Sequence, residues 1–303
     1  MEAFGIQRVA LSTGISLDVA IAGEGGDAVI LLHGFPESHR TWRHVIPDLA
    51  RDHFVLAPDQ RGFARSDKPE GVESYTPDKM VADLLALADQ FGIDRFTLVG
   101  HDWGGAIAWM AALQNPNRVE RLVIVNAPHP FVFQKTLFDD MAQRAASQYI
   151  TAFRNPNFEA HVASIGMSAF FDGSFMKHTD FEKIADEKPV YLDQWEQPGA
   201  MTAMLNWYRA SAIIVPAMDD TPDRPAWLDG PFPPITQPTL VIWGLEDKAL
   251  LPSQLEGLED YVPDLRVAKV DAGHFVPWEN PAAVLKAMRD WGFRTIRPRS
   301  SPR

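Results

Sequence analysis

The chain has 303 residues, 46% hydrophobic and 22% charged, a composition typical of a globular protein with a sizeable core. Its formal net charge of -12 disfavours nucleic acid and anionic membrane surfaces as partners, and the absence of cysteine excludes disulfides, thiolate nucleophiles and cysteine-ligated metals. No secretory signal pattern or membrane-spanning apolar run is evident in the sequence. These features predict a cytoplasmic protein without a membrane segment.

Apolar runs alternate with helix-like segments through the first 126 residues. Strands are predicted within 8–22 and at 28–32, 54–58, 95–99 and 121–126, and helices at 41–50, 79–91 and 106–113. Strands that alternate with helices indicate a doubly wound, mostly parallel sheet and hence an α/β fold.

This alternation stops after residue 130 and resumes at residue 239. Helical periodicity continues to about residue 212, and 216–238 is rich in proline. Strands at 239–244 and 265–270 and a helix at 282–293 complete the pattern. We therefore predict a core domain in two parts, 1–130 and 231–303, with an inserted helical cap at 131–230.

The segment 100–105, Gly-His-Asp-Trp-Gly-Gly, lies between a predicted strand and a predicted helix. Its glycines permit a tight turn that presents the central side chain, Asp102, above the sheet. Because a carboxylate is already ionised, it needs no base to attack an electrophilic carbon, and the attack forms an ester between enzyme and substrate. Hydrolysis of that ester needs an activated water, so Asp102 as nucleophile predicts a distant histidine and an acid that orients it.

Two later strand ends supply such a pair. Asp247 follows the strand at 239–244 and His274 follows the strand at 265–270, so both are expected at the same sheet edge as Asp102. His274 is predicted to take a proton from water while Asp247 fixes its tautomer. Glu246 is an alternative acid, whereas Asn126, at the end of another strand, cannot act as a carboxylate.

Ester hydrolysis passes through an oxyanion, which needs backbone N–H donors. Trp103, directly after the nucleophile, is expected to supply one donor, and Phe35, in the turn after the strand at 28–32, the second. No motif indicates a metal or an organic cofactor. Water is therefore the co-reactant that we expect.

Four motifs resemble the epoxide hydrolases of the α/β-hydrolase fold. They are His-Gly-Phe-Pro-Glu-Ser at 33–38, Asp-Gln-Arg-Gly-Phe at 59–63, Gly-His-Asp-Trp-Gly-Gly at 100–105 and Asn-Ala-Pro-His-Pro at 126–130. In the predicted cap, 197–201 and 205–209 resemble the segment carrying one ring-opening tyrosine, here Tyr208. Residues 147–156 resemble the segment carrying the other, here Tyr149.

This resemblance implies an α/β-hydrolase fold and hydrolysis of a small apolar epoxide to a vicinal diol, in a detoxification role. Two phenol groups, those of Tyr149 and Tyr208, would assist the opening of the ring. Apolar side chains near the motifs are expected to line a substrate slot between cap and sheet. The expected lining residues are Trp103, Trp207 and Phe275, together with Phe131, Phe133, Trp195 and Met204.

Three alternatives remain open. The turn around Asp102 is shared with haloalkane dehalogenases, although these resemble the chain less at Phe35, where they typically carry Asn or Trp. Fluoroacetate dehalogenases typically carry Arg at the position of Trp103. An inactive binding protein of the same fold is a further alternative, against which the presence of every required group argues. A homodimer is also compatible with the sequence.

Overall fold

In the computed structural model, which describes residues 4–175, 178–179 and 181–293, eight strands form one sheet. The strands are β1 (Gly5–Ala10), β2 (Ser16–Ala22), β3 (Ala28–Leu32), β4 (Phe54–Pro58), β5 (Phe96–His101), β6 (Val119–Val125), β7 (Thr239–Gly244) and β8 (Leu265–Val270). They are ordered β1-β2-β4-β3-β5-β6-β7-β8, and only the pairs β1–β2 and β2–β4 are antiparallel. The predicted doubly wound, mostly parallel sheet is confirmed.

Helices pack on the sheet and fill the interval between β6 and β7. They are α1 (Ile46–Leu49), α2 (Pro77–Gln90), α3 (Trp103–Gln114), α4 (Pro130–Asp139), α5 (Met141–Ala146), α6 (Gln148–Arg154), α7 (Phe158–Ile165), α8 (Met167–Phe175), α9 (Lys188–Trp195), α10 (Ala200–Arg209), α11 (Val276–Glu279) and α12 (Pro281–Asp290). Short 3-10 helices lie at His39–Trp42, Val72–Tyr75, Phe181–Lys183, Ala185–Glu187, Ala226–Asp229, Pro252–Leu255 and Leu258–Asp260. We call the part from α4 to the 3-10 helix at Ala226–Asp229 the helical insert.

The central strands are buried on both faces. In β3, Ile30 and Leu32 belong to the hydrophobic core on one side of the sheet, and Val29 and Leu31 belong to the core on the other side. Such strands have continuous apolar sequences because both faces of a parallel sheet are covered. This is why a run of five apolar residues marked β3 in the sequence.

The helix predicted at 41–50 is wrong in its extent. The structure has a 3-10 helix at His39–Trp42 and the single turn of α1 instead. Pro47 lies in the first turn of α1. Because a proline ring clashes with the carbonyl group four residues earlier, one continuous helix through this position would be broken.

The helical insert lies over the carboxyl ends of the strands. The Trp195 indole donates a hydrogen bond to the carbonyl oxygen of Pro36 (2.8 Å), in the loop after β3. The Trp207 indole donates to the carbonyl oxygen of Arg61 (2.9 Å), in the loop after β4. The division at residues 130 and 230 stays a prediction, and the ends of the two predicted core parts, 1–3 and 294–303, lie outside the described residues. Within the described ranges, no helix has the length and apolar character needed to cross a bilayer.

Candidate active site

Asp102 occupies a sharp turn between β5 and α3. Its backbone φ is 50° and its ψ is -121°, a conformation that is strained for a residue other than glycine. The surrounding glycines allow the elements to approach closely: a Cβ on Gly104 would lie 2.3 Å from the carbonyl oxygen of Leu32. A Cβ on Gly34 would lie 2.4 Å from the Cβ of Asp102. The turn therefore holds the Asp102 carboxyl group above the edge of the sheet.

The two oxygens of Asp102 contact different groups. Oδ1 accepts a hydrogen bond from the Phe35 backbone N–H at 2.8 Å, and Oδ2 lies 3.5 Å from Nε2 of His274. Trp103 begins α3, so its backbone N–H is among the unpaired donors of the first helical turn. The positive end of the α3 dipole thus lies beneath the carboxylate.

His274 is bound on its other side by Asp247. Nδ1 of His274 lies 2.7 Å from Oδ2 of Asp247, whose side chain is fully buried. Burial alone would lower the pKa of His274, but the carboxylates of Asp247 and Asp102 raise it well above its ordinary value. Burial would likewise raise the pKa of Asp247, yet the charge and hydrogen bond of His274 hold it below its ordinary range. The resting site therefore favours an imidazolium between two carboxylates.

Asn126 contributes a contact that the sequence did not indicate. Its Nδ2 donates to Oδ2 of Asp247 at 2.7 Å, and its Oδ1 accepts the backbone N–H of Gly244 at 2.8 Å. Its φ is 41°, again in the left-handed region. The sequence placed Asn126 at a strand end and excluded it as the acid, but the side chain instead orients the acid.

Two buried side chains whose contacts the sequence does not indicate, His101 and Glu37, lie behind His274. Nε2 of His101 donates to the carbonyl oxygen of His274 at 2.9 Å, and Nδ1 lies 2.8 Å from Oε2 of Glu37. Burial opposes the charge of Glu37, but His101 and the Trp278 indole stabilise it and lower its pKa to about 2. The Glu37 carboxylate therefore joins the Trp278 indole to the ring of His101. Glu37 and His101 lie in the motifs at 33–38 and 100–105, which do not by themselves indicate this contact.

Tyr149 and Tyr208 come together although they lie on different helices of the insert. Their ring centroids are 6.0 Å apart, and the rings are nearly perpendicular at 83°. Burial, together with the nearby Asp102 carboxylate, raises the pKa of each phenol well above its ordinary value. Both groups therefore stay protonated at neutral pH and are able to donate a proton.

Two cavities meet at these side chains. A first lobe of about 330 Å³ and a second lobe of about 440 Å³ are both bordered by Asp102, Tyr149 and Tyr208. The first lobe has apolar walls, which include Trp103, Met110, Phe131, Phe133, Trp227 and Phe232. The second lobe combines Phe153, Phe158, Phe170 and Phe275 with His161, Ser174 and His178. Volumes of this size suit small organic ligands.

The structure brings some of the expected pocket residues to the lobes and not others. Trp103, Phe131 and Phe133 border the first lobe, and Phe275 borders the second. Trp207, Trp195 and Met204 border neither lobe. Trp207 and Trp195 turn instead toward backbone carbonyl groups of the sheet domain, where each indole N–H is satisfied. In the described part of the chain, no cluster of three or more metal-ligating side chains occurs.

Comparison with known proteins places this architecture in a family. A family model described as alpha/beta hydrolase fold matches residues 27–281. The solved structure of an epoxide hydrolase from metagenomes of hot environments is 48% identical, with a TM-score of 0.88 over 95% of this chain and 98% of that one. Protein YfhM of the AB hydrolase superfamily, from Bacillus subtilis, is 36% identical over 90% of this chain and 93% of its own. Epoxide hydrolase 4 of Mus musculus is 30% identical over 90% of this chain and 75% of its own.

The chain therefore belongs to the alpha/beta hydrolase fold family of enzymes. Within that family, the resemblance to the epoxide hydrolases that the four sequence motifs carry is confirmed.

Proposed function

We propose that this enzyme hydrolyses epoxides with apolar substituents to vicinal diols through a covalent ester on Asp102. The observation that carries the proposal is the surroundings of this carboxylate. Its oxygens face the Phe35 N–H and His274, and it lies where two cavities meet beside the phenols of Tyr149 and Tyr208.

In the first step an oxygen of Asp102 attacks one ring carbon, and the bond from that carbon to the epoxide oxygen breaks. The released oxygen is a poor leaving group until it is protonated, so a phenol of Tyr149 or Tyr208 gives it a proton. The raised pKa of both phenols keeps this proton in place until the ring opens. The product is a hydroxyalkyl ester of Asp102.

In the second step water attacks the carbonyl carbon of that ester while His274 removes the proton from the water. The resulting oxyanion accepts hydrogen bonds from the N–H groups of Phe35 and Trp103. When the ester bond breaks, the departing diol oxygen takes the proton from His274. The carboxyl proton left on Asp102 returns to His274, which had given its own proton to the phenolate, so the site is restored and the reaction consumes one epoxide and one water.

The charges of the site suit this order of events. In the resting site the ionised Asp102 is one of two carboxylates that stabilise protonated His274. Alkylation neutralises Asp102, so the imidazolium loses one of its supports. The imidazolium gives its proton to the phenolate that ring opening left at the same lobe, so His274 is a neutral base once the ester has formed.

Trapping the ester tests the proposal. Replacement of His274→Gln should leave ring opening possible and stop hydrolysis, so intact mass after exposure to styrene oxide should increase by one substrate mass on Asp102. The Asp102→Asn variant is the matched control and should gain no mass. In a single turnover in heavy-oxygen water, the unaltered enzyme should incorporate the label into Asp102. Label that enters only the diol would support direct attack by water.

The alternative of a dehalogenase is tested with the same protein. Diol formation from styrene oxide should exceed halide release from a bromoalkane and from fluoroacetate. Fast halide release without diol formation would contradict the proposal. No turnover of any of these compounds would favour a binding protein.

A further inference from the structure

We propose that Arg154 is a positioning residue that fixes the two tyrosine-bearing helices relative to each other and thereby sets the rate of ring opening. The inference rests on the proposed function, because it acts through Tyr149 and Tyr208. Arg154 is the last residue of α6, five positions after Tyr149. Its guanidinium reaches the end of α10, which carries Tyr208.

The guanidinium makes four hydrogen bonds to the chain at the end of α10. Nε donates to the carbonyl oxygen of Tyr208 at 2.9 Å, and Nη1 donates to that of Ile213 at 2.8 Å. Nη2 donates to the carbonyl oxygen of Ser211 at 3.0 Å and to its hydroxyl oxygen at 2.7 Å. The Ser211 hydroxyl in turn donates to the carbonyl oxygen of Tyr208 at 2.9 Å. These hydrogen bonds, which we call the Arg154 clamp, join the backbone of Tyr208 directly to α6.

The partners of Arg154 are unusual for a cation. Within the described residues, no carboxylate lies at ion-pair distance from it, and its guanidinium is bound by neutral oxygens alone. Carbonyl groups at a helix C-terminus carry the negative end of the helix dipole and stabilise a cation there. The planar fork of a guanidinium can join several carbonyl groups at fixed angles, whereas a lysine ammonium is a flexible point charge. The site thus uses the shape of arginine as well as its charge.

The ring of Tyr208 also contacts two rings of α6. Tyr208 lies 6.0 Å from Tyr149 and 5.0 Å from Phe153, measured between ring centroids. Ring contacts resist separation but fix the sliding of one helix along another less well than directional hydrogen bonds do. Both phenols must reach the same epoxide oxygen, and a displacement of about 1 Å can cost about 100-fold in rate. Arg154 supplies four directional contacts beside Tyr208, whereas Arg209 of α10 adds one long hydrogen bond to the carbonyl oxygen of Asn155 at the end of α6 (3.2 Å).

The contacts of Arg154 also affect the wall of the binding cavity, and this effect can be measured separately from the rate of ring opening. Ser211 and Ile213 border the first lobe, so loss of Arg154 also loosens a wall of the binding cavity. A loosened wall changes the apparent KM, whereas displaced phenols change the rate of ring opening at saturating substrate. The two effects are distinguished by single-turnover kinetics.

The experiment compares Arg154→Met and Arg154→Lys with the unaltered enzyme on styrene oxide, and it measures ring opening and ester hydrolysis separately. We expect Arg154→Met to slow ring opening about 10- to 100-fold and to leave ester hydrolysis nearly unchanged, because His274 and Asp247 do not contact this clamp. Arg154→Lys should recover only part of the loss. Guanidinium ion added to Arg154→Ala should restore part of the ring-opening rate.

Arg144 provides a matched control in the same insert. Its guanidinium also binds backbone carbonyl groups, those of Leu137, Phe138 and Asp220, and none of these hydrogen bonds reaches α10. The Arg144→Met variant should lose stability without a selective loss of ring opening. Adding Arg154→Met to a Tyr149→Phe, Tyr208→Phe double variant should cause little further loss, because the clamp acts through the phenols.

Equal slowing of both steps, or a change confined to KM, would overturn the proposal, and Arg154→Lys provides the same comparison if Arg154→Met does not fold. Failure of the proposed function is a different result. It would appear in the unaltered enzyme as the absence of any ester on Asp102.

Discussion

Asn126 and His274 donate hydrogen bonds to the same oxygen of Asp247, each at 2.7 Å. The other oxygen of Asp247 accepts the backbone N–H groups of Ala249 (2.8 Å) and Leu250 (2.9 Å). Four donors therefore surround the buried carboxylate of Asp247, which only accepts hydrogen bonds. This environment suits an ionised acid that orients the histidine.

The first prediction compares Asp247 with its neighbour Glu246, which the sequence left as an alternative acid. Glu246 is exposed. In Asp247→Asn, the side-chain NH2 group would face groups that are themselves hydrogen-bond donors. The variant would also lack the negative charge that stabilises protonated His274. Asp247→Asn should therefore slow ester hydrolysis by roughly 10⁴-fold, as the same change does in serine protease triads.

Ring opening should change much less, since it does not need His274 as base. The ester should then accumulate, which intact-mass measurement during turnover would detect. Glu246→Gln is the control and should behave like the unaltered enzyme. The assignment of the acid is wrong if Glu246→Gln has the large effect and Asp247→Asn the small one.

The second prediction concerns the phenol pair. Tyr149→Phe or Tyr208→Phe alone should leave measurable ring opening, because the remaining phenol still donates a proton. The double variant should lose nearly all of it, since a general acid is typically worth about 10²–10⁴-fold. Stopped-flow measurement of ring opening would check this, with Tyr191→Phe as the control. Tyr191 is a fully buried tyrosine of the insert that borders neither lobe.

Halide displacement supplies an internal comparison for these variants. A departing halide needs no proton, so any release of bromide from a bromoalkane should survive both substitutions. Undiminished epoxide turnover by the double variant would exclude the phenols as acids.

The third prediction follows from the two lobes. Ala106, on α3, borders the first lobe, and Ala146, on α5, borders the second. Ala106→Phe should weaken use of an epoxide with a large group on each ring carbon by about 10- to 100-fold, the value of one buried phenyl group. Turnover of 1,2-epoxybutane, which needs one lobe only, should be retained. Ala146→Phe, which would fill the second lobe, should likewise impair the large epoxide and spare 1,2-epoxybutane. Equal losses of activity on both substrates would argue against separate lobes.

Much of the sheet and the order of the site residues could be predicted from local sequence. The strands predicted at 239–244 and 265–270 match β7 and β8. Asp102, Asp247 and His274 could be placed together because the carboxyl ends of parallel strands meet at one edge. That inference needs only the strand positions and the residues that follow them.

Other features depend on contacts between distant segments and could not be predicted. Asn126 meets Asp247 across 121 residues of sequence, and Arg154 meets the carbonyl group of Tyr208 across 54. The side on which Trp207 presents its indole depends on how α10 packs on the loop after β4. Amphipathic periodicity identifies the buried face of a helix but not which buried side chain borders a cavity.

The last prediction concerns His129, which the mechanism does not use. Its ring is buried between Trp109, Phe232 and Tyr261, with centroid distances of 5.1 to 5.3 Å. Among the described residues neither of its ring nitrogens has a hydrogen-bond partner. Burial lowers the pKa of His129 to about 4 from an ordinary value of 6.5.

The pKa of His129 determines a pH window for stability. Above pH 6.5 His129 is neutral in both the folded and the unfolded chain. Between pH 6.5 and about 4 the unfolded chain binds the proton and the folded chain does not, so the free energy of unfolding decreases as the pH falls. The loss from this residue is about 3 kcal/mol across the window. His129→Phe should remove it and keep the aromatic packing.

Denaturant titrations of both proteins from pH 7.5 to pH 3.5 measure the effect as the difference in unfolding free energy at each pH. The difference should increase in favour of His129→Phe as the pH falls below 6.5 and become constant near pH 4. Glu37→Gln provides a contrast, because the lowered pKa of Glu37, about 2 against an ordinary 4.5, changes stability with pH only below about 4.5. A His129→Phe difference that does not change with pH would mean that His129 protonates equally in the folded and unfolded chains.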